Sequence, residues 1–171
     1  MDQPWKQFER KTAKRAGTRR TPLSGRNSGH DTASDSLSDT FYAENKWTGT
    51  KNKYSTFALR LRELHKHIPG APKKANAIIT SYQNEKIVAF QTNKKEINFF
   101  PLDLSAPTSK GWKRLGIWDA FINDPCAKGD QEGKIPLFLI HIKGKHGEVA
   151  MCRACDYETV KETYSWHNTI E

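Results

Sequence analysis

Residues 40–47, TFYAENKW, constrain the fold more than any other stretch. Read as a strand, they put Phe41, Ala43, Asn45 and Trp47 on one face and Tyr42, Glu44 and Lys46 on the other. The first face suits a core. The second presents an acid and a base, two residues apart and side by side. Ser38-Asp39 just upstream reads as a turn, and residues 33–37 as a short preceding strand. If Leu37 pairs with Thr40, Asp35 lies opposite Tyr42 and diagonal to Glu44. Such neighbours are about 7–8 Å apart at the backbone, close enough for two carboxylates to converge on one cation. Asp31 and Asp39 compete with Asp35, but Asp39 suits the turn itself and Asp31 lies further out in the loop.

The rest of the chain reads as helices and strands in alternation. Residues 4–16 form a first helix, with Pro4 in the opening turn and Gly17 at the exit. Trp5, Phe8, Thr12, Ala13 and Ala16 fall on its apolar stripe, and Glu9 points along that stripe against the pattern. Residues 17–34 are a loop rich in Gly, Ser, Thr and Arg. A helix is expected over 55–67, then strands over 77–82, 86–92 and 96–102, and a polar break over 105–111. A helix over 112–122, an apolar strand over 135–142, its partner over 149–152 and a last helix from Asp156 complete the chain. Two segments, 55–92 and 112–152, each offer a helix followed by a strand pair. The second has the more apolar strand and is the preferred partner of residues 40–47. One α/β domain spanning 1–171 is expected, with residues 48–110 as an inserted α/β segment.

Charge points to the partner. The net charge is +9. Eight Lys and Arg against two acids between residues 1 and 26 supply six of those nine charges. A cluster of this kind is the footprint of a polyanion, usually nucleic acid; the competing reading is a solvated helix face. Lys6, Lys14, Arg19, Arg20, Arg26, Asn27, Ser28 and His30 are the candidate DNA contacts, most of them on a loop that must lie at the surface.

Two hard oxygen ligands beside an open groove suit Mg²⁺, which prefers carboxylates and keeps several waters. Asp35 and Glu44 are the candidate ligands, with the backbone carbonyl of Asn45 as a third. A lysine at position 46 can orient an attacking water and offset charge developing in a transition state. Taken alone, Glu-x-Lys is common, and a solvent-facing ion pair would look the same.

The context gives the pattern its meaning. WKQFERKTAKRAGTRRTPLSGRNSG followed by SDSLSDTFYAENK resembles the PD-(D/E)XK nuclease superfamily, and within it the Holliday-junction-resolvase-like nucleases of archaea and phages. The likeness covers roughly the first 47 residues, with a weaker one over EGKIPLFLIHIKGKHGEVAMCRA. The resemblance implies a restriction-endonuclease-like core, a helix and a mixed central sheet flanked by helices. It implies a Mg²⁺-dependent endonuclease, with Mn²⁺ as a substitute metal, acting in DNA recombination or repair on branched DNA. It also implies roles: Glu9 as the first-helix acid, Asp35 and Glu44 as the metal carboxylates, Lys46 as the catalytic lysine. Ser34 stands where the family often has Pro, and Asn45 stands at a core-facing position that is usually apolar. A nuclease of ordinary duplex and a DNA-binding module that keeps the fold without catalysis are the alternatives.

Other features set expectations. Phe99, Phe100, Leu102, Trp112 and Trp118 exceed what one small core needs, and with the two cuts of junction resolution they point to a homodimer. Three Cys are an odd count, which argues for a reducing, cytoplasmic setting, in a phage the host cell. Cys152-x-x-Cys155 reads as a packed reduced pair rather than a zinc site. No apolar run is long enough to cross a membrane, and no signal peptide is evident.

Overall fold

The computed structural model describes residues 3–15, 34, 38–49 and 51–163. In chain order these form α1 (Pro4–Arg15), β1 (Phe41–Thr48), α2 (Lys53–Arg62), α3 (Leu64–His67), β2 (Ala77–Tyr82), β3 (Glu85–Gln91), β4 (Phe99–Leu102), α4 (Lys110–Lys113), α5 (Ile117–Phe121), α6 (Ala127–Glu132), β5 (Ile135–Ile142), β6 (Val149–Arg153) and α7 (Tyr157–Thr163). The strands make one six-stranded mixed sheet in the order β1-β5-β6-β3-β2-β4. β1 runs parallel to β5, and β2 parallel to β4; the other pairs are antiparallel.

Period-two alternation explains how the sheet is covered. On β5, Phe138 and Ile140 face one way, and Leu137 and Leu139 the other. The first face packs under α2, α4 and α5 with Phe57, Leu61, Trp112, Ile117, Trp118 and Phe121. The second packs under α1 and α7 with Phe8 and Val160. Tyr157 of α7 meets Phe90 and Phe99 edge-on, with ring centroids 5.3 and 5.0 Å away. The chain is therefore an α/β protein with helices on both faces of a mixed sheet, and strand β5, buried on both faces, needs the nearly continuous apolar run that its sequence has.

The segment 112–152 does supply the neighbour of β1, because Phe41 through Thr48 run in register with Ile135 through Ile142. The segment 48–110 is not a separate layer. Its α2 helps cover the sheet beside β1, and its β2, β3 and β4 extend the same sheet beyond β6, where β3 pairs with β6. The apolar surplus is absorbed here as well. Leu102, Trp112 and Trp118 are buried in the chain, and Phe99 and Phe100 are half-buried, so they form no exposed patch of the kind that the homodimer expectation used.

Local signals account for several boundaries. Asn52 caps α2, accepting from the N–H groups of Tyr54 (2.9 Å) and Ser55 (3.0 Å), while Ser55 Oγ accepts from the Asn52 N–H. The predicted helix over 112–122 is instead two pieces, separated where Gly116 takes a left-handed φ of 73°. α5 then runs into a wide turn, Ile122–Cys126, before α6. Pro125 lies inside that turn; without an N–H it cannot make the ordinary helical bond.

α1 docks through Phe8, Glu9, Thr12 and Ala13, all buried. Trp5, expected on the same stripe, is 41% exposed. The docked stripe begins one turn later, where Phe8 meets Trp47 and His141, and Trp5 lies instead under the Lys6 ammonium, 5.4 Å from its ring centre. Ala16, and the predicted strand over 33–37 apart from Ser34, lie outside the described residues. Ser34 itself is a bend residue, not part of a strand.

Candidate active site

β1 is the last strand on its side of the sheet. Backbone direction along it is set by two bonds to the β5 chain: Ile135 N–H donates to the Thr40 carbonyl and Lys143 N–H to the Thr48 carbonyl. Even-numbered residues of β1 therefore aim their backbone groups at β5, and odd-numbered ones aim theirs at the outer edge. Ser34 lies on that outer edge. Its Oγ accepts from the Ala43 N–H (2.9 Å) and donates to the Ala43 carbonyl (3.3 Å). By the same alternation the Asn45 carbonyl points to the outer edge too. This contact brings Ser34 beside Ala43; the expected pairing of residues 35–37 with β1 lies outside the described residues. Ser38 caps the turn between them, accepting from the N–H groups of Thr40 and Phe41.

Ser34 is fully buried. Ser34→Ala is expected to cost about 1–2 kcal/mol, since two edge groups of Ala43 lose their partner. Urea denaturation measures it; an unchanged midpoint would mean that Oγ does not anchor the edge.

Glu44 and Lys46 leave β1 on the face that carries Phe138 and Ile140, as the alternation requires. Lys46 Nζ lies 3.3 Å from Glu44 Oε1, with the side chains 35% and 16% exposed. The lysine also sits 5.6 Å from the centre of the Tyr54 ring. Lys46 borders a cleft between β1, the start of α2 and the α5 stretch.

Asn45 faces the opposite way. Its Oδ1 accepts from the Thr12 hydroxyl at 2.9 Å, so a polar residue at a core-facing position is explained by a polar partner on α1. Glu9 sits on the docked side of that helix at 6% exposure. The helix that carries it thus lies against the face of β1 opposite Glu44 and Lys46. Of the candidate DNA contacts, Lys6 is half-buried and Lys14 exposed on α1. Arg19, Arg20, Arg26, Asn27, Ser28, His30 and the candidate ligand Asp35 lie outside the described residues.

Mg²⁺ takes one or two carboxylates and otherwise retains water. A largely but not wholly buried Glu44 carboxylate and a carbonyl on the strand edge are hard oxygens of that type, and the residues present fit. Among the described residues no three His, Cys, Asp or Glu gather into a metal-binding group. Cys152 is buried, and burial pushes its thiol above the usual range, as it pushes Cys126 up to about 12. Cys155 is exposed, so of the expected packed pair only Cys152 is packed. No helix among the described residues is long and apolar enough to cross a membrane.

Missing from the sequence reading were the other walls of the cleft, Lys53 and Tyr54 on α2 and Asn123 on the wide turn. Only the Asn52-x-x-Ser55 capping pattern marked where α2 begins. No family model matches the chain, and no curated protein or solved structure matches it either.

Proposed function

We propose that this chain is a Mg²⁺-dependent endonuclease of the PD-(D/E)XK type that hydrolyses phosphodiester bonds in branched DNA. The observation that carries the reading is the seam at the edge of β1. Ser34 bonds to Ala43, and the next residue in the chain from Ser34 is Asp35, while the next from Ala43 is Glu44. Asp35 and Glu44 are the carboxylates that would hold the ion, with the Asn45 carbonyl as a third oxygen. Bound there, Mg²⁺ would neutralise phosphate charge and lower the pKa of a coordinated water.

The protein's own groups do the rest. Lys46 is poised beside Glu44 to orient the attacking water and to offset charge on the phosphate as the bond breaks. The Glu44–Lys46 contact also holds the ammonium at that spot before substrate arrives. Glu9, expected as a site acid, lies on the docked side of α1 against the other face of β1, and no step is assigned to it. The basic segment between residues 1 and 26 supplies the attraction to DNA. Resolving a four-way junction takes two cuts in opposed strands, so two chains act on one junction.

The test is cleavage of labelled junction, flap and linear duplex DNA of equal length. Cutting is expected with Mg²⁺ or Mn²⁺ and none with EDTA, and the junction should be cut faster than the duplex. Equal rates on junction and duplex would leave a duplex nuclease. Binding without cleavage at any metal concentration would leave a DNA-binding module.

A further inference from the structure

We propose that the cleft beside Lys46 is a nucleotide subsite, in which the Tyr54 ring stacks on an unpaired base and the Lys53 ammonium meets the adjoining phosphate. The choice of nucleic acid as ligand rests on the nuclease reading above; the geometry of the subsite does not.

The cleft measures about 440 Å³, within the size of ordinary small-ligand sites. Its floor is Phe138, which Tyr54 meets with ring centroids 5.6 Å apart. The ring is half-buried, so one part is supported from below while another borders the opening. Its position is fixed from the backbone, because the Asn52 cap accepts from the Tyr54 N–H. Two ammonium groups flank the ring, Lys53 at 5.1 Å and Lys46 at 5.6 Å from its centre. Aromatic faces with cations beside them are how single-stranded nucleic acid is held without regard to sequence.

Asp119 and Asp124 also line the cleft. Both are engaged. Asp119 Oδ1 accepts from the Tyr82 hydroxyl at 2.5 Å and from Gln83, and Asp124 meets Lys128 at 2.8 Å. Lys46 is paired with Glu44. Lys53 meets no carboxylate among the described residues, so it is the cation in the cleft left to an incoming anion. The exposed amide of Asn123 on the far wall carries both a donor and an acceptor for a base edge. A base held here would lie beside Lys46, which itself lines the cleft. A flap, or a junction opened at its branch point, exposes unpaired bases of this kind.

The experiment is anisotropy of a fluorescein-labelled oligothymidylate with the full chain, in EDTA, over a range of KCl. Lys53→Gln should weaken binding and lower the log–log salt slope by about 0.7, the value for one single-strand phosphate contact. Tyr54→Leu should weaken binding by about fivefold or more, whereas Tyr54→Phe, which keeps a ring, should stay within about twofold of wild type. A wild-type slope for Lys53→Gln overturns the proposal, as does wild-type affinity for a folded Tyr54→Leu or no binding by the wild-type chain. If Tyr54→Leu fails to fold, Lys53→Gln decides, because its side chain lies on the surface. The two readings separate cleanly. Metal-dependent cleavage with no effect of either substitution removes the subsite and keeps the nuclease. The expected binding losses in a chain that never cleaves remove the nuclease and keep the subsite.

Discussion

Glu44→Gln is expected to lower Mg²⁺-dependent cleavage by at least about a hundredfold while leaving DNA affinity within about twofold. The substitution keeps the shape and removes one charge. Structurally little is lost. The Glu44–Lys46 contact is partly exposed at 35% and 16%, and such pairs are worth about 1 kcal/mol or less. The β1–β5 ladder, made by backbone groups, is untouched. A fall in rate with an unchanged melting temperature therefore reports on chemistry rather than folding. Lys46→Ala should fall as far, and without weakening the response to Mg²⁺ titration, since an ammonium is not a ligand. If Mg²⁺ dependence shifts to higher concentration in Lys46→Ala, the lysine shapes the carboxylate site instead of acting on the substrate. A Glu44→Gln chain that cuts at the wild-type rate would sink the assignment of this strand as the catalytic one.

The legibility of that strand has a plain physical origin. Alternation along β1 is a local property, so residues 41–48 announce their two faces without knowledge of the partner. The apolar run of β5 is local too, because a strand covered on both faces must be apolar at nearly every position. Pairing of β3 with β6 is a different matter. Nothing in EKIVAFQ says which strand will lie beside it, and a segment that looked like an insertion supplies half of the sheet. The exposure of Trp5 was hidden for a related reason, since helical periodicity gives a stripe but not where along the helix the sheet ends. Asn45 and Thr12 were each visible as oddities on their elements, and only docking of α1 on β1 shows that one satisfies the other. The cleft is still less legible. Lys53 and Asn123 come from opposite sides of the β2–β4 excursion and meet through tertiary packing alone.

Trp118→Ala should destabilise the chain by about 3–5 kcal/mol, the range for removing a large aromatic from a core. Trp118 is 1% exposed, and its indole N–H donates to the Trp112 carbonyl at 3.0 Å. Phe57 of α2 meets it edge-on at 5.4 Å and meets Trp112 in the same way at 6.0 Å. One residue therefore ties α5 to α4 and to α2, across the excursion that carries β2, β3 and β4. α5 has five residues, too few to be helical on its own, so its conformation depends on this packing. Trp118→Phe should recover part of the loss, keeping the ring contact with Phe57 and giving up the bond to the Trp112 carbonyl, a difference of about 1–2 kcal/mol. Urea denaturation followed by far-ultraviolet circular dichroism reads both, and the m-value should stay the same if unfolding remains a single transition. The same variant also weighs the core against a dimer interface. A tryptophan at an interface between two chains would change the molecular mass in light scattering and make the midpoint depend on protein concentration. One buried in its own chain lowers the midpoint equally at every concentration. The second result is expected, because Leu102, Trp112 and Trp118 already bury one another's surroundings within the cluster that covers β5. A loss below about 1 kcal/mol, with a midpoint that tracks concentration, would return these residues to the surface and reopen residues 48–110 as a separate unit.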